Sequence, residues 1–252
     1  MAEKGPRYLV KEYLKSLRPG SIVELRDVYA SVQRLRPETE EPTIREALQA
    51  LSAGSSRGNS AERAASMVVA VAATLRELKD AGLRDRVYLA VPEIRRDHLG
   101  RTAALRTEAA QERCATLLGK EVVDFWLKQT QLQCVPEKAA RKVRAEGECR
   151  ICRFLTDRHQ IPMPAPGTVT LQAAHLVARK NTFWRIMDEV VSDQEPGWIF
   201  TDAGALALKK RIEADATHSS AKYMIFLCKK HDVALQASLN PRASKRAKSK
   251  LP

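Results

Sequence analysis

The sequence predicts a mainly helical α+β protein: an amino-terminal helical domain, a helical connector, and a small metal-stabilised module near the carboxyl end. Three observations predict it. Apolar residues recur at helical spacing through the first fifty positions. Aromatics make up only 5% of the 252 residues, while Ala, Leu, Val and Arg are frequent, a balance that favours helix. A β-prone run, Val169–Val177, lies late in the chain between a Cys-x2-Cys and a Cys-x2-His pair.

Val10, Tyr13, Leu14 and Leu17 define a first helix, ended by Arg18-Pro19-Gly20. Leu25, Val28, Tyr29 and Val32 repeat the pattern up to Pro37. A third helix is expected to start at Thr43 as N-cap, with Ile44, Ala47, Leu48 and Leu51 on one face. Arg45 and Gln49 stand one turn apart on its other face. Three short helices so arranged resemble a helix-turn-helix or winged-helix unit, in which the last helix enters the major groove. There Arg reads guanine and Gln reads adenine. A plain three-helix bundle with a solvated third face would show the same pattern.

Ser52–Ser60 reads as a flexible linker. Glu62–Ala81 reads as helix, and Val87–Val91 as a short strand or wing. Arg101–Gln133 reads as a long helix whose Val122, Phe125 and Trp126 supply core or a dimer seam. Basic residues then crowd from Lys138 to Arg158, and the tail from Asn240 to Pro252 is basic with no acid, hence expected to be disordered. The expected organisation is a recognition domain over 1–53, a connector or dimerisation region over 54–136, a metal-containing domain over 137–240, and a basic tail over 241–252.

The formal net charge is +13, which points to nucleic acid as partner, since a basic surface neutralises phosphates and releases counterions. No apolar run reaches 18 residues, and Met1–Gly5 is too polar to open a secretory signal, so the expected setting is cytoplasmic with no membrane partner. The five cysteines are unevenly spread, which argues against a disulfide framework and for reduced thiols.

Chemistry concentrates in two half-sites. Cys149-Arg150-Ile151-Cys152 is a C-x2-C knuckle, and Cys228-Lys229-Lys230-His231 is a C-x2-H partner. A turn between two such ligands points both inward, and a second pair completes a tetrahedron around Zn2+. A closed Cys3His set of this kind is structural. The competing reading makes Cys228 a core cysteine after Met224–Leu227 and leaves His231 on the surface. Between the half-sites, Val169–Val177 is a β-prone run that contains His175.

Over residues 147–240 the chain resembles the HNH (ββα-metal) endonuclease superfamily. The residues that carry the likeness are Cys149-Arg-Ile-Cys152, Ala173-Ala-His175-Leu176, and Phe226-Leu-Cys228-Lys-Lys-His231-Asp232. The resemblance implies a ββα module in which His175 is the general base that takes a proton from the attacking water. It also implies that Asp232 holds a catalytic Mg2+, a hard ion that prefers oxygen. Ala174 stands where the family often has an acidic or His ligand, and no Asn stands near Tyr223, where the family's middle Asn would fall. Asn181 and His218 are out of register for that role, and the stretch from His175 to Cys228 is longer than usual, with an inserted strand and helix near Trp198–Ile212.

Arg179 and Lys180, just past the base, suit the scissile strand's phosphates. His218 is expected on a surface turn, and His98 and His159 have no supporting neighbours in sequence. The function expected is a Mg2+-dependent endonuclease on double-stranded DNA, a type II restriction enzyme of bacterial kind acting as a homodimer. The alternative is a zinc-containing DNA-binding regulator without catalysis.

Overall fold

The structure is a computed structural model. It describes residues 5–53, 67–71, 75–91, 136–176 and 201–239, together with Thr116, Thr182, Ile186, Met187 and Glu189. Most of the expected connector helix, His98, the basic tail, Arg179, Lys180 and Asn181 lie outside the described residues.

The protein is α+β. Its amino-terminal part runs α1 (Pro6–Ser16), β1 (Ile22–Glu24), α2 (Leu25–Leu35), α3 (Glu41–Ala50), β2 (Ser52–Ala53), β3 (Val68–Ala70), α4 (Arg76–Asp80) and β4 (Val87–Ala90). Four strands form one sheet in the order β1-β4-β3-β2. β4 pairs antiparallel with both β1 and β3, while β2 lies parallel to β3. Helix α3 begins at Glu41 rather than after a Thr43 cap, because Pro42 sits in its first turn, where a missing N–H costs nothing.

Two sequence expectations are corrected here. Ser52 and Ala53, expected to open a linker, are strand. Within the expected helix Glu62–Ala81, residues 68–70 are strand and only Arg76–Asp80 is helical among the described residues. The reason lies in what covers the sheet. Val68 faces the helical core with Val23 and Tyr88, while Val69 and Val71 face a second core with Val87 and Leu89. β-branched residues buried on alternate sides favour the pleated strand over the helix.

The second core joins this sheet to the carboxyl-terminal part: α5 (Glu137–Arg144), α6 (Arg150–His159), β5 (Leu171–His175), α7 (Asp202–Ala214), α8 (Ala216–Ser219), a 3-10 turn (Ala221–Tyr223), β6 (Met224–Cys228) and α9 (Lys229–Leu239). β5 and β6 form an antiparallel pair with Leu171 opposite Cys228 and His175 opposite Met224. One face of this pair, with Ala174, Ile225 and Leu227, packs into the core shared with the four-stranded sheet and with Ile151, Leu155 and Leu235 of α6 and α9. The other face, with Ala173, Met224 and Phe226, is covered by Ala139 and Val143 of α5. The protein thus runs from helices α1–α3 through the four-stranded sheet to a core shared by α6, α9 and the strand pair, with α5 on the strand pair's far face.

A buried ionic clasp strengthens the joint. Glu24, with no exposed surface, accepts from Arg26 at 2.7 Å, from Arg158 at 3.0 Å and from His159. His159, expected to lack partners, is therefore a buried bridge between α6 and the end of β1, formed across 135 positions of sequence.

Candidate metal centre

The four predicted ligands converge. Cys149 is the N-cap of α6 and Cys152 lies in its first turn; Cys228 ends β6 and His231 lies in the first turn of α9. All four are buried, and their donor atoms lie within 4.8 Å of one another. The Nδ1 of His231 is 3.3 Å from the Cys149 sulfur, 3.5 Å from that of Cys152 and 3.3 Å from that of Cys228. The sulfurs of Cys152 and Cys228 are 3.9 Å apart.

These distances test the fit to a metal. A tetrahedron with Zn–S near 2.3 Å and Zn–N near 2.05 Å has S···N edges of about 3.5 Å and S···S edges of about 3.8 Å. The observed separations of 3.3–3.5 Å and 3.9 Å match those edges, whereas a disulfide would need sulfurs about 2 Å apart. This buried Cys3His cluster can hold a metal such as zinc.

Electrostatics agree with the geometry. The thiol hydrogen bond from Cys152, opposed by burial and aided by His231, brings Cys149 down to about 3. Its thiolate is therefore favoured at neutral pH. The same hydrogen bond, together with burial and the charge on Cys149, pushes Cys152 far up, and burial pushes Cys228 up. Three crowded sulfurs cannot all ionise without a compensating cation, and a divalent metal supplies one.

Sequence reasoning missed Glu77. His231 Nε2 donates to Glu77 Oε1 at 2.9 Å, which leaves Nδ1 aimed at the sulfurs. A carboxylate on the far nitrogen fixes the tautomer and ring orientation of a metal-binding histidine. Lys230 Nζ also meets Glu77, at 2.7 Å. Burial raises the Glu77 carboxyl, but the hydrogen bond from Lys230 and the neighbouring positive charges outweigh it, and its pKa is lowered. Glu77 comes from α4, 154 positions before its partner, so no local spacing could have revealed it.

The remaining predicted residues are placed as follows. His175, 6% exposed, ends β5, and its Nε2–H donates to the carbonyl of His218 at 3.1 Å. His218, expected on a surface turn, is instead buried at 2% exposure and stacks on His175, with ring centroids 5.6 Å apart. Asp232 accepts from Gln172 and, at 3.4 Å, from Gln236; burial raises its carboxyl while these two bonds oppose the rise. Gln172 precedes His175 by three residues and points to the other face of the strand pair. The structure thus brings Asp232 to Gln172 and not to His175. On α3, Arg45 is exposed and Gln49 half-buried.

Among the described residues, no other three or more His, Cys, Asp or Glu donors gather as a metal-binding group, and Asp232 belongs to none. No described helix is long and apolar enough to cross a membrane. Neither family models, nor characterised proteins, nor solved structures give a match to this chain.

Proposed function

We propose that the chain is an endonuclease of the HNH (ββα-metal) kind, acting on double-stranded DNA, with a structural Zn2+ on Cys149, Cys152, Cys228 and His231. The observation that carries this reading is the arrangement of β5, β6 and α9. Two metal half-sites bracket an antiparallel strand pair that bears His175 and runs directly into a helix. The ion's part is to tie the first turn of α6 to the start of α9, beside the apolar core that Ile151, Leu155 and Leu235 already share.

His175 is the proposed general base. Its Nε2–H donates to the His218 carbonyl, a bond that fixes the tautomer at that nitrogen and the orientation of the ring. Arg45 and Gln49 on α3 are the proposed base-reading pair, and a homodimer on a two-fold site is part of the same proposal. The likeness to the superfamily also implies Mg2+, toward which Asp232 would offer one oxygen.

A second reading, a zinc-containing DNA-binding regulator, draws on a specific observation. Asp232 is engaged by Gln172, on the strand-pair face turned away from His175, and by Gln236 of α9. Supercoiled plasmid incubated with Mg2+ or Mn2+ separates the two. The nuclease reading expects nicking by the wild type and none by His175→Ala. Intact plasmid with either metal at high protein concentration favours the regulator, and cutting of structured RNA alone would shift the substrate class.

A further inference from the structure

The segment from Glu137 to Arg158 carries seven basic residues, and the structure divides them sharply. Four are engaged with carboxylates: Arg144 with Glu137 at 3.9 Å, Arg150 with Glu146 at 3.5 Å, Arg153 with Glu148 at 2.9 Å, and Arg158 with the buried Glu24 at 3.0 Å. Lys138, Arg141 and Lys142 are exposed and have no carboxylate partner among the described residues.

These three are neighbours on one face of α5, at i, i+3 and i+4. The opposite face of the helix, with Ala139, Ala140 and Val143, is buried against the strand pair. Lys138 to Lys142 spans about 6 Å along the axis at 1.5 Å per residue, a reach suited to neighbouring phosphates on one strand. Lys222, also exposed and without a carboxylate partner among the described residues, sits in the 3-10 turn that packs against α5. The strand-pair face under α5 carries Leu171 and Ala173, and by the two-residue period of a strand His175 belongs to that same face.

We infer that the Lys138–Arg141–Lys142 face of α5, extended by Lys222, is the surface that grips the phosphate backbone of a DNA duplex on the His175 side of the strand pair. Arg150, Arg153 and Arg158 are structural by contrast, since their charges are already balanced within the protein. A solvated helix face would ordinarily interleave both signs, as the i,i+4 pairs of α6 and α7 do. Here the only acid on the helix is Glu137, and it is turned to Arg144. The inference rests on the nucleic-acid reading above and names the contact surface for it.

The test compares three full-length proteins by fluorescence anisotropy on a labelled 30-base-pair duplex, titrated between 50 and 200 mM salt. They are the wild type, a Lys138→Gln/Arg141→Gln/Lys142→Gln variant, and an Arg150→Gln/Arg153→Gln control. Gln keeps helix propensity, and far-UV circular dichroism with bound-metal content verifies each fold. Each lost phosphate contact flattens the slope of log affinity against log salt by about 0.9, so the triple variant is expected to lose about 2.7. The wild type's advantage over it should then shrink about 40-fold across this salt range, while the control keeps the wild-type slope. A triple variant with an unchanged slope beside a steep wild type overturns the inference and leaves the nucleic-acid reading standing. A wild type with no salt-dependent duplex binding overturns both. Binding to phosphatidylserine vesicles in place of duplex also overturns it, in favour of an anionic membrane.

Discussion

Replacing Glu77 by Gln should loosen the metal without disturbing the four ligands. The carboxylate accepts from His231 Nε2 at 2.9 Å and meets Lys230 at 2.7 Å, with 18% of its side-chain surface exposed. Gln keeps the shape and an oxygen acceptor but removes the charge that makes His231 a stronger donor to the metal. Losing a charge-assisted hydrogen bond in a partly buried setting costs about 1.5–3 kcal/mol, and a tenfold change in affinity corresponds to about 1.4 kcal/mol. Outer carboxylates of this kind are typically worth about 10- to 100-fold in metal affinity. The Gln variant should therefore sit near the tenfold end, and Glu77→Ala near 100-fold. Competition for Zn2+ against a chromophoric chelator at fixed pH measures this directly, with Lys230→Ala separating the ion pair from the orienting bond. A Gln and an Ala variant both within twofold of wild type, at one metal per chain, would refute the orienting role.

Removing the metal with a chelator should abolish cooperative unfolding of the carboxyl-terminal part. Structural zinc contributes about 10–16 kcal/mol in small motifs, as much as a whole domain's stability; an unchanged Tm with metal gone would refute a structural centre. Glu24→Gln should destabilise by about 3 kcal/mol in urea, at the low end for a broken buried pair because Arg26 and Arg158 remain half exposed. Burial raises the Glu24 carboxyl, but bonds from Arg26 and His159 outweigh it and leave it below 4.5. Its contribution is complete above about that value and is lost as pH falls through the depressed folded pKa; urea midpoints of wild type and variant should stay apart above about pH 4.5 and converge only as pH falls below it.

The metal ligands were legible because a C-x2-C and a C-x2-H pair state their purpose locally. β5 was legible as a β-prone run between the two half-sites, whereas the residues of β6 stood out only as the apolar stretch before Cys228. β1 and β2 were not legible, being only three and two residues long, with extended backbone imposed by the strands beside them. β3 was hidden between Ala-rich flanks, and only the two cores on its faces decide its conformation. His159, His218 and Glu77 draw their meaning from partners 43 to 154 positions away, or from a neighbour's burial, which no single-chain periodicity encodes. Arg45 and Gln49 lie on the helix expected, whereas the division at residue 53 cuts through a sheet that serves both halves.

That sheet has a geometric consequence for anything long and straight that the protein touches. Helix α3 belongs to the first stratum and α5 to the last, with two others between. At about 10 Å per interval the two helix axes stand at least roughly 30 Å apart with packed protein between them. One unbent duplex can rest on either side but not on both. Simultaneous engagement needs a sharply curved segment, a second stretch of double helix, or a twin subunit that turns its opposite end to the same groove.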